Sequence, residues 1–513
     1  MNKVIQVSIC IAVLACPSLS STQNKESLIF PDPQQKICLV EGLGKDGDLL
    51  SGRKMPPDTP LVRAILDELS VPFHQSVIKL SQCSRNLVSD SVGPNVLYLS
   101  KNEGGFPRQG LVLKVKGQSF SYPDLFYVDL VLDERRVANG ELDIYSHELG
   151  HVMMLNIWKN IPDPQSSKQH VSMGITDYTT AVFEGWGIHF QRLAFDNIPR
   201  YRSIFKESFD FRRSTGRLWH SNIDQELRIN GVLQNSFIYQ KLLPGVDLSR
   251  LNQEELILLE HTSPEFDITR LKNGQQMLSC EGVLATLFYR INTNESLQNN
   301  FLEKEFYNRF LLSPMPDDLE PKDLFSPFEN VMLKNFWVWS RLNTAALEDR
   351  HLFIEYIKEW SRAFPDDKEE IFKLFILTTV GKTINNDLGS AYERMAYAGL
   401  IGDIQKFRGI FPEFSSVYED LIKKIFSGEL SLESNMGPQL WIQNTDFLIR
   451  RTLWDVSRKL PLSINVNTTS AFELSTFPGI SLEKAEQIIR RREELGYFKS
   501  MEEAEAAGFK IQT

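Results

Sequence analysis

The spacing of apolar residues changes period along the chain, and the changes divide it into parts. Residues 96–100, 110–115 and 125–132 are short, dense apolar runs separated by turn residues, which predicts three strands leading into a helix that spans His147. From about 201 to 458 apolar residues return every three or four positions, as in Leu352-Phe353-Ile354-Glu355-Tyr356-Ile357, which predicts an all-helical region packed against the strands. The tail is more sharply punctuated. Ser470 and Glu473 have capping-box spacing, Pro478-Gly479-Ile480-Ser481 predicts a tight hairpin, residues 482–495 a second helix, and a third helix follows Ser500. The predicted fold class is α+β and predominantly helical, with a small sheet, a large helical region and a compact C-terminal unit.

The first residues read as an export signal: Lys3, then a largely apolar stretch over 4–15, then small residues. Cleavage after Ser20, with Ser18 and Ser20 as the small residues, is one reading. The other starts from Val13-Leu14-Ala15-Cys16, which resembles a bacterial lipobox and would place a lipid anchor on Cys16. Both predict an exported protein: periplasmic, secreted or lipid-anchored in a bacterial envelope. No later apolar run approaches the ~20 residues of a membrane span, the best being 371–380. The expected organisation is a signal over 1–20, an N-terminal region over 21–85, a strand-and-motif core over 86–200, the helical region over 201–458 and the C-terminal unit over 463–513.

At 513 residues, 42% of them hydrophobic and 24% charged, the chain is long enough for two or three globular domains. Its net charge of −10 argues against general affinity for nucleic acid or anionic membrane. Beyond the signal the cysteines are Cys38, Cys83 and Cys280, and in an oxidising compartment the simplest arithmetic is one disulfide, with Cys38 and Cys83 the nearest pair.

The chemistry concentrates at His147-Glu148-Leu149-Gly150-His151. On a helix, positions i and i+4 share one face, so both imidazoles can reach one metal while Glu148 sits beside the water that the metal holds. Catalytic zinc of this kind takes three protein ligands and keeps a fourth position open. A third histidine of the metzincin type is excluded, because Met154 and Ile157 stand where a glycine and that histidine would be. The remaining solution is a glutamate on a second helix, and residues 179–190, with Thr179 or Thr180 as N-cap, supply Glu184. Gly185 and Gly187 flank Trp186 in that helix at a cost of about 1 kcal/mol each, which close approach to the motif helix would offset. Gly150 meets the same demand. His189 lies about 140° around the helix from Glu184 and is a candidate for the substrate cleft instead. Residues 161–177, polar and proline-containing, predict a loop over the cleft. His170, Asp177 and Tyr178, within it or at its end, are expected at the surface, with substrate or oxyanion contact as their alternative role. His220 is a further cleft candidate.

With these residues in place, the HELGH pentad and the later Glu-Gly pair resemble the gluzincin class of zinc metallopeptidases over roughly residues 125–195. The resemblance implies a zincin-like core, one zinc ion per chain on His147, His151 and Glu184, Glu148 as general base, and a peptide or protein substrate. The gap between His151 and Glu184 is longer than in thermolysin-like members. Two other readings stand beside hydrolysis of peptides: an inactive cell-envelope adaptor, and a zinc amidase acting on cell-wall material. At the other end, INVNTTSAFELSTFPGIS and KAEQIIRRREELGYFKS resemble the helix-hairpin-helix domain of ComEA-like DNA-uptake proteins over roughly 463–509. That resemblance implies a DNA-phosphate contact at the backbone of Gly479. Ser481 replaces a glycine usual in the family, and residues 470–513 carry six Lys or Arg against eight Glu. A structural or protein-docking role is therefore favoured over DNA.

Overall fold

The computed structural model describes residues 25–88, 93–158, 161–208, 224–241, 256–257, 266–342, 351–450 and 459–509. Five strands, β1 (Cys38–Asp46), β2 (Leu49–Lys54), β3 (Val96–Leu99), β4 (Phe106–Val115) and β5 (Gln118–Leu130), close a small barrel in the order β1-β2-β4-β5-β3. The three expected strands are β3, β4 and β5, and the barrel recruits the two upstream ones from the N-terminal region. Alternation builds it: Cys38, Val40, Tyr98, Leu111, Leu113 and Tyr127 fill the interior, while Leu39, Leu97, Leu99, Val128 and Leu130 face outward into the main core. Lys116 and Gly117, both at positive φ, make the two-residue turn from β4 to β5.

Helices cover the barrel's outward apolar face. Helices α1 (Pro60–Leu69) and α2 (Pro72–Val88) come first, and α3 (Ile144–Ile157) carries the motif. Almost every residue of α3 is buried, so it is a central helix rather than a surface one. It packs against β5, α2 and α4 (Tyr178–Asn197), and α4 in turn against α5 (Glu281–Thr293). Further helices, α6 (Pro327–Arg341), α7 (Leu352–Ala363) and α8 (Lys368–Thr379), complete the core, and α9 (Asp387–Leu400) with α10 (Ile404–Ser427) forms a helical hairpin. The fold is α+β and predominantly helical, as expected.

The stretch over 201–458 is not all-helical, however. It contains β6 (Tyr239–Lys241) paired with β7 (Phe266–Leu271), and β8 (Trp441–Arg450), which pairs with β9 (Lys459–Asn465). Ile442, Phe447, Ile449, Leu462 and Ile464 of β8 and β9 join Leu474, Ile488, Phe498 and Phe509 in a second apolar core. The C-terminal unit is thus built on a strand pair followed by α11 (Ala471–Leu474), α12 (Leu482–Leu495) and α13 (Met501–Ala506). Ser470 and Glu473 form the expected capping box.

The expected disulfide is absent. Cys38, Cys83 and Cys280 are all free and buried: Cys38 faces the barrel interior, whereas Cys83 lies in the helical core. The Cys280 thiol donates to the Ser172 carbonyl at 3.3 Å. Among the described residues no helix is long and apolar enough to cross a membrane. Residues 1–20, the expected signal with Cys16, and His220 lie outside the described residues.

Candidate metal centre

The i, i+4 spacing on α3 turns both motif imidazoles the same way. His147 Nε2 and His151 Nε2 stand 3.0 Å apart, in buried surroundings. Glu184 enters from α4, its Oε2 lying 3.7 Å from His147 Nε2 and 3.5 Å from His151 Nε2. Donors placed tetrahedrally about 2.0–2.2 Å from one zinc ion stand about 3.3–3.6 Å from one another. The donor set fits a metal in chemistry as well as spacing, because two nitrogen atoms 3.0 Å apart must share either a proton or a cation. These three groups could hold a metal ion. Phe183 stacks on the His151 ring at 4.1 Å and restrains its orientation. His147 Nδ1 and His151 Nδ1 have no hydrogen-bond partner among the described residues.

Small residues permit this convergence. A Cβ on Gly187 would lie 2.7 Å from His147 Nε2 and 2.8 Å from His151 Nε2, within the space where the donors meet. A Cβ on Gly185 would press at 2.8 Å on the Glu281 carbonyl, and one on Gly150 at 2.7 Å on the Phe190 ring. Each glycine named from the sequence therefore marks a close helix approach. The Trp186 indole N–H, donating to the Gly150 carbonyl at 3.0 Å, locks α4 to α3. The N-cap of α4 is Asp177, not Thr179 or Thr180: its carboxylate accepts from the Thr180 N–H at 2.9 Å and the Thr180 hydroxyl at 3.0 Å.

Burial sets the electrostatics. It drives His147 down to about 3, against the pull of the Glu184 hydrogen bond, so this ring is a neutral donor with a free lone pair. Burial also lifts Glu148 up to about 7, opposed by His151, which leaves that carboxylate able to take up a proton near neutrality. On Glu184 burial acts upward, but His170, His151 and the hydrogen bond with His147 outweigh it and hold the carboxyl well below its usual range.

The loop before α4 differs from its expected character. Asp177 and Tyr178 are buried rather than at the surface, and His170 is half-buried, with about a third of its side chain exposed. His170 Nδ1 sits 3.2 Å from Glu281 Oε2 and 3.7 Å from Glu184 Oε2. Burial lowers the His170 pKa, yet the two carboxylates prevail and raise it to about 9. Asp177 is the buried cap, and Tyr178 packs edge-on against the His351 ring inside the core. His189 does not face a cleft either. Its ring is buried, with Nδ1 bonded to the Trp186 carbonyl and Nε2 2.9 Å from Asn292 Nδ2, because the 140° turn from Glu184 points it into the packing between α4 and α5.

Two groups of the site have no counterpart in the sequence reading. Glu281 opens α5, 1% exposed and far along the chain from α4. Arg228 pairs with Asp224 at 2.8 Å, and Asp224 accepts from the Ser172 N–H at 2.6 Å, anchoring the His170 loop. The Glu281-Gly282 pair echoes Glu184-Gly185, but Glu41-Gly42 and Glu103-Gly104 do too, so the sequence did not single it out.

The C-terminal unit also reaches this loop. Lys168 Nζ meets Glu473 Oε1 at 2.9 Å with both side chains buried, and the Ser463 N–H donates to the Ser167 hydroxyl at 2.7 Å. Gly479 lies at the tip of an exposed hairpin with φ +78° and open space around its Cα. Compared with known families, residues 462–506 match the helix-hairpin-helix motif, an arrangement compatible with DNA or protein binding. Neither a curated protein nor a solved structure matches the chain.

Proposed function

We propose that this chain is an exported zinc-dependent hydrolase that cleaves peptide bonds. The observation carrying the reading is the convergence of His147 Nε2, His151 Nε2 and Glu184 Oε2 within 3.0–3.7 Å, with Glu148 on the same helix between the two histidines. Zinc held there would supply Lewis acidity toward the scissile carbonyl and lower the pKa of a bound water. The chain's own part is Glu148, whose buried carboxylate would accept a proton from such a water and hand it to the leaving amine. His147, neutral through burial, and His151 orient the site, and Glu184 stays ionised to balance charge.

Zinc content and hydrolysis of a peptide panel test the reading together. Wild type should bind zinc, Glu184→Ala should lose zinc from this site while still folded, and Glu148→Gln should keep zinc but lose hydrolysis by about 10²–10⁴-fold. A Glu148→Gln variant of normal activity would remove the general base from the mechanism. Adding cell-wall fragments to the panel separates peptide hydrolysis from an amidase activity.

The helix-hairpin-helix match favours a second reading, an envelope adaptor whose metal site does no chemistry. Binding of a protein or DNA partner by a chain that carries zinc yet hydrolyses nothing would select it.

A further inference from the structure

Glu184 belongs to two donor sets. One is completed by His147 and His151, the other by His170 and Glu281, and in each the donor atoms lie within 4.8 Å of one another. Resting on the zinc reading above, we propose that the centre is dinuclear: a second divalent cation bound by His170 Nδ1 and Glu281, with the Glu184 carboxylate bridging the two ions.

Three observations carry this inference. First, the geometry is convergent, with His170 Nδ1 3.2 Å from Glu281 Oε2 and 3.7 Å from Glu184 Oε2. Secondly, Glu281 is 1% exposed and its Oε1 has no partner among the described residues. A buried carboxylate oxygen without a partner is costly, and the His170 ring reaches only the other oxygen of Glu281. Thirdly, the residues are held in place before any ion arrives. The Gly282 N–H donates to the Ser172 carbonyl at 3.0 Å and the Thr176 N–H to the Ser279 carbonyl at 2.8 Å, fixing the His170 loop to the start of α5. On the other side, the missing side chain of Gly185 lets α4 close onto the Glu281 backbone.

One nitrogen and carboxylate oxygens suit zinc, manganese or cobalt. Paired ions of this kind stabilise both the attacking and the leaving oxygen in hydrolysis. His170 keeps about a third of its side chain exposed, which gives the second ion a route in from solvent.

The test is zinc stoichiometry of the full chain by elemental analysis after metal stripping and reloading, with circular dichroism as the folding control. The expected result is two zinc per wild-type chain, one in Glu281→Gln, one in His170→Gln and none in Glu184→Ala. One zinc in wild type, unchanged in Glu281→Gln, overturns the second site and leaves the hydrolase reading standing. Two zinc in both wild type and Glu281→Gln also overturns it. No zinc in wild type overturns both readings. Should the variants fail to fold, wild type alone decides after cobalt substitution: a spin-coupled pair supports the bridged site, and magnetically isolated cobalt overturns it.

Discussion

A methyl group at residue 187 would stand in the space where two imidazoles and a carboxylate meet, so Gly187→Ala is a sharp probe of the centre. Alanine should favour the helix by about 1 kcal/mol, yet its Cβ would press on His147 Nε2 at 2.7 Å. Zinc affinity, measured by competition with a chelator, should fall tenfold or more while the metal-free protein still folds; wild-type affinity would argue against these donors. Gly150→Ala should do the reverse, disturbing Phe190 for about 1–3 kcal/mol of stability with little change in zinc affinity. Acid should act elsewhere, through His74. This ring is fully buried, with Nδ1 2.9 Å from the Glu68 carbonyl, and burial pushes it from 6.5 down to about 4. The unfolded chain therefore takes the proton first as pH falls. His74 stabilises the fold fully above pH 6.5, and that contribution is lost between 6.5 and 4, about 2 kcal/mol of it by pH 5. Denaturant melts at pH 7.5 and 5.0 should show a smaller acid loss in His74→Gln by about that amount; an equal loss in both would exclude His74 as a source. At this scale the sequence was legible where chemistry follows local spacing. The His147–His151 pair and the glycines that clear room beside it needed only helical geometry. Glu281 was not legible, since its approach to His170 spans 111 residues and depends on tertiary packing.

Among elements, the least regular segment is the most constrained. The loop between α3 and α4 has no period, and so reads as surface, but it is tied to α5 through Ser172 and Thr176 and to the C-terminal unit through Ser167 and Lys168. Glu473 serves two elements at once: one oxygen accepts from the Ser470 N–H at 3.1 Å and the Thr469 hydroxyl at 2.8 Å, closing the capping box, while the other holds Lys168. Glu473→Ala opens half of the capping box and strands a buried ammonium, which should destabilise the protein by about 3–5 kcal/mol. Pairing Lys168→Met with Glu473→Leu should recover much of that loss. If Glu473→Ala melts like wild type, the unit is not docked on the loop. The small strands escaped the sequence reading for a related reason. In β8 the apolar residues Trp441-Ile442 and Phe447-Leu448-Ile449 are separated by four polar ones, and the ladder accommodates them with an irregularity between Asn444 and Leu448, so no alternating pattern survives.

At the scale of the whole molecule, the helix-hairpin-helix unit braces the loop and helices that carry the candidate metal ligands. It holds the His170 loop through Lys168, and it holds the approach to α5 through Gln275, whose side-chain oxygen accepts from Asn465 Nδ2 at 2.9 Å, and Gln276, which donates to the Thr468 carbonyl at 3.0 Å. Two of its cations, Arg491 and Arg492, are committed to the protein. The Arg492 guanidinium is buried, donating to the Val466 and Thr469 carbonyls, and Arg491 pairs with Glu494 at 2.8 Å. The exposed hairpin at Gly479 can still offer backbone N–H groups to a phosphate, but such contacts position a duplex and contribute little without cations beside them. Each phosphate neutralised adds about 0.9 to the slope of log K against log salt, and a unit in which Glu outnumber Lys and Arg, on a chain of net charge −10, should show a slope of about 2 or less. Fluorescence anisotropy with a labelled duplex at 50–200 mM salt should accordingly give only weak binding by the full chain, and saturating DNA should leave zinc content and hydrolysis unchanged. Micromolar binding with a slope of about 4 or more would show instead that the hairpin recruits cations from the rest of the surface, and that the brace is also a DNA-binding arm.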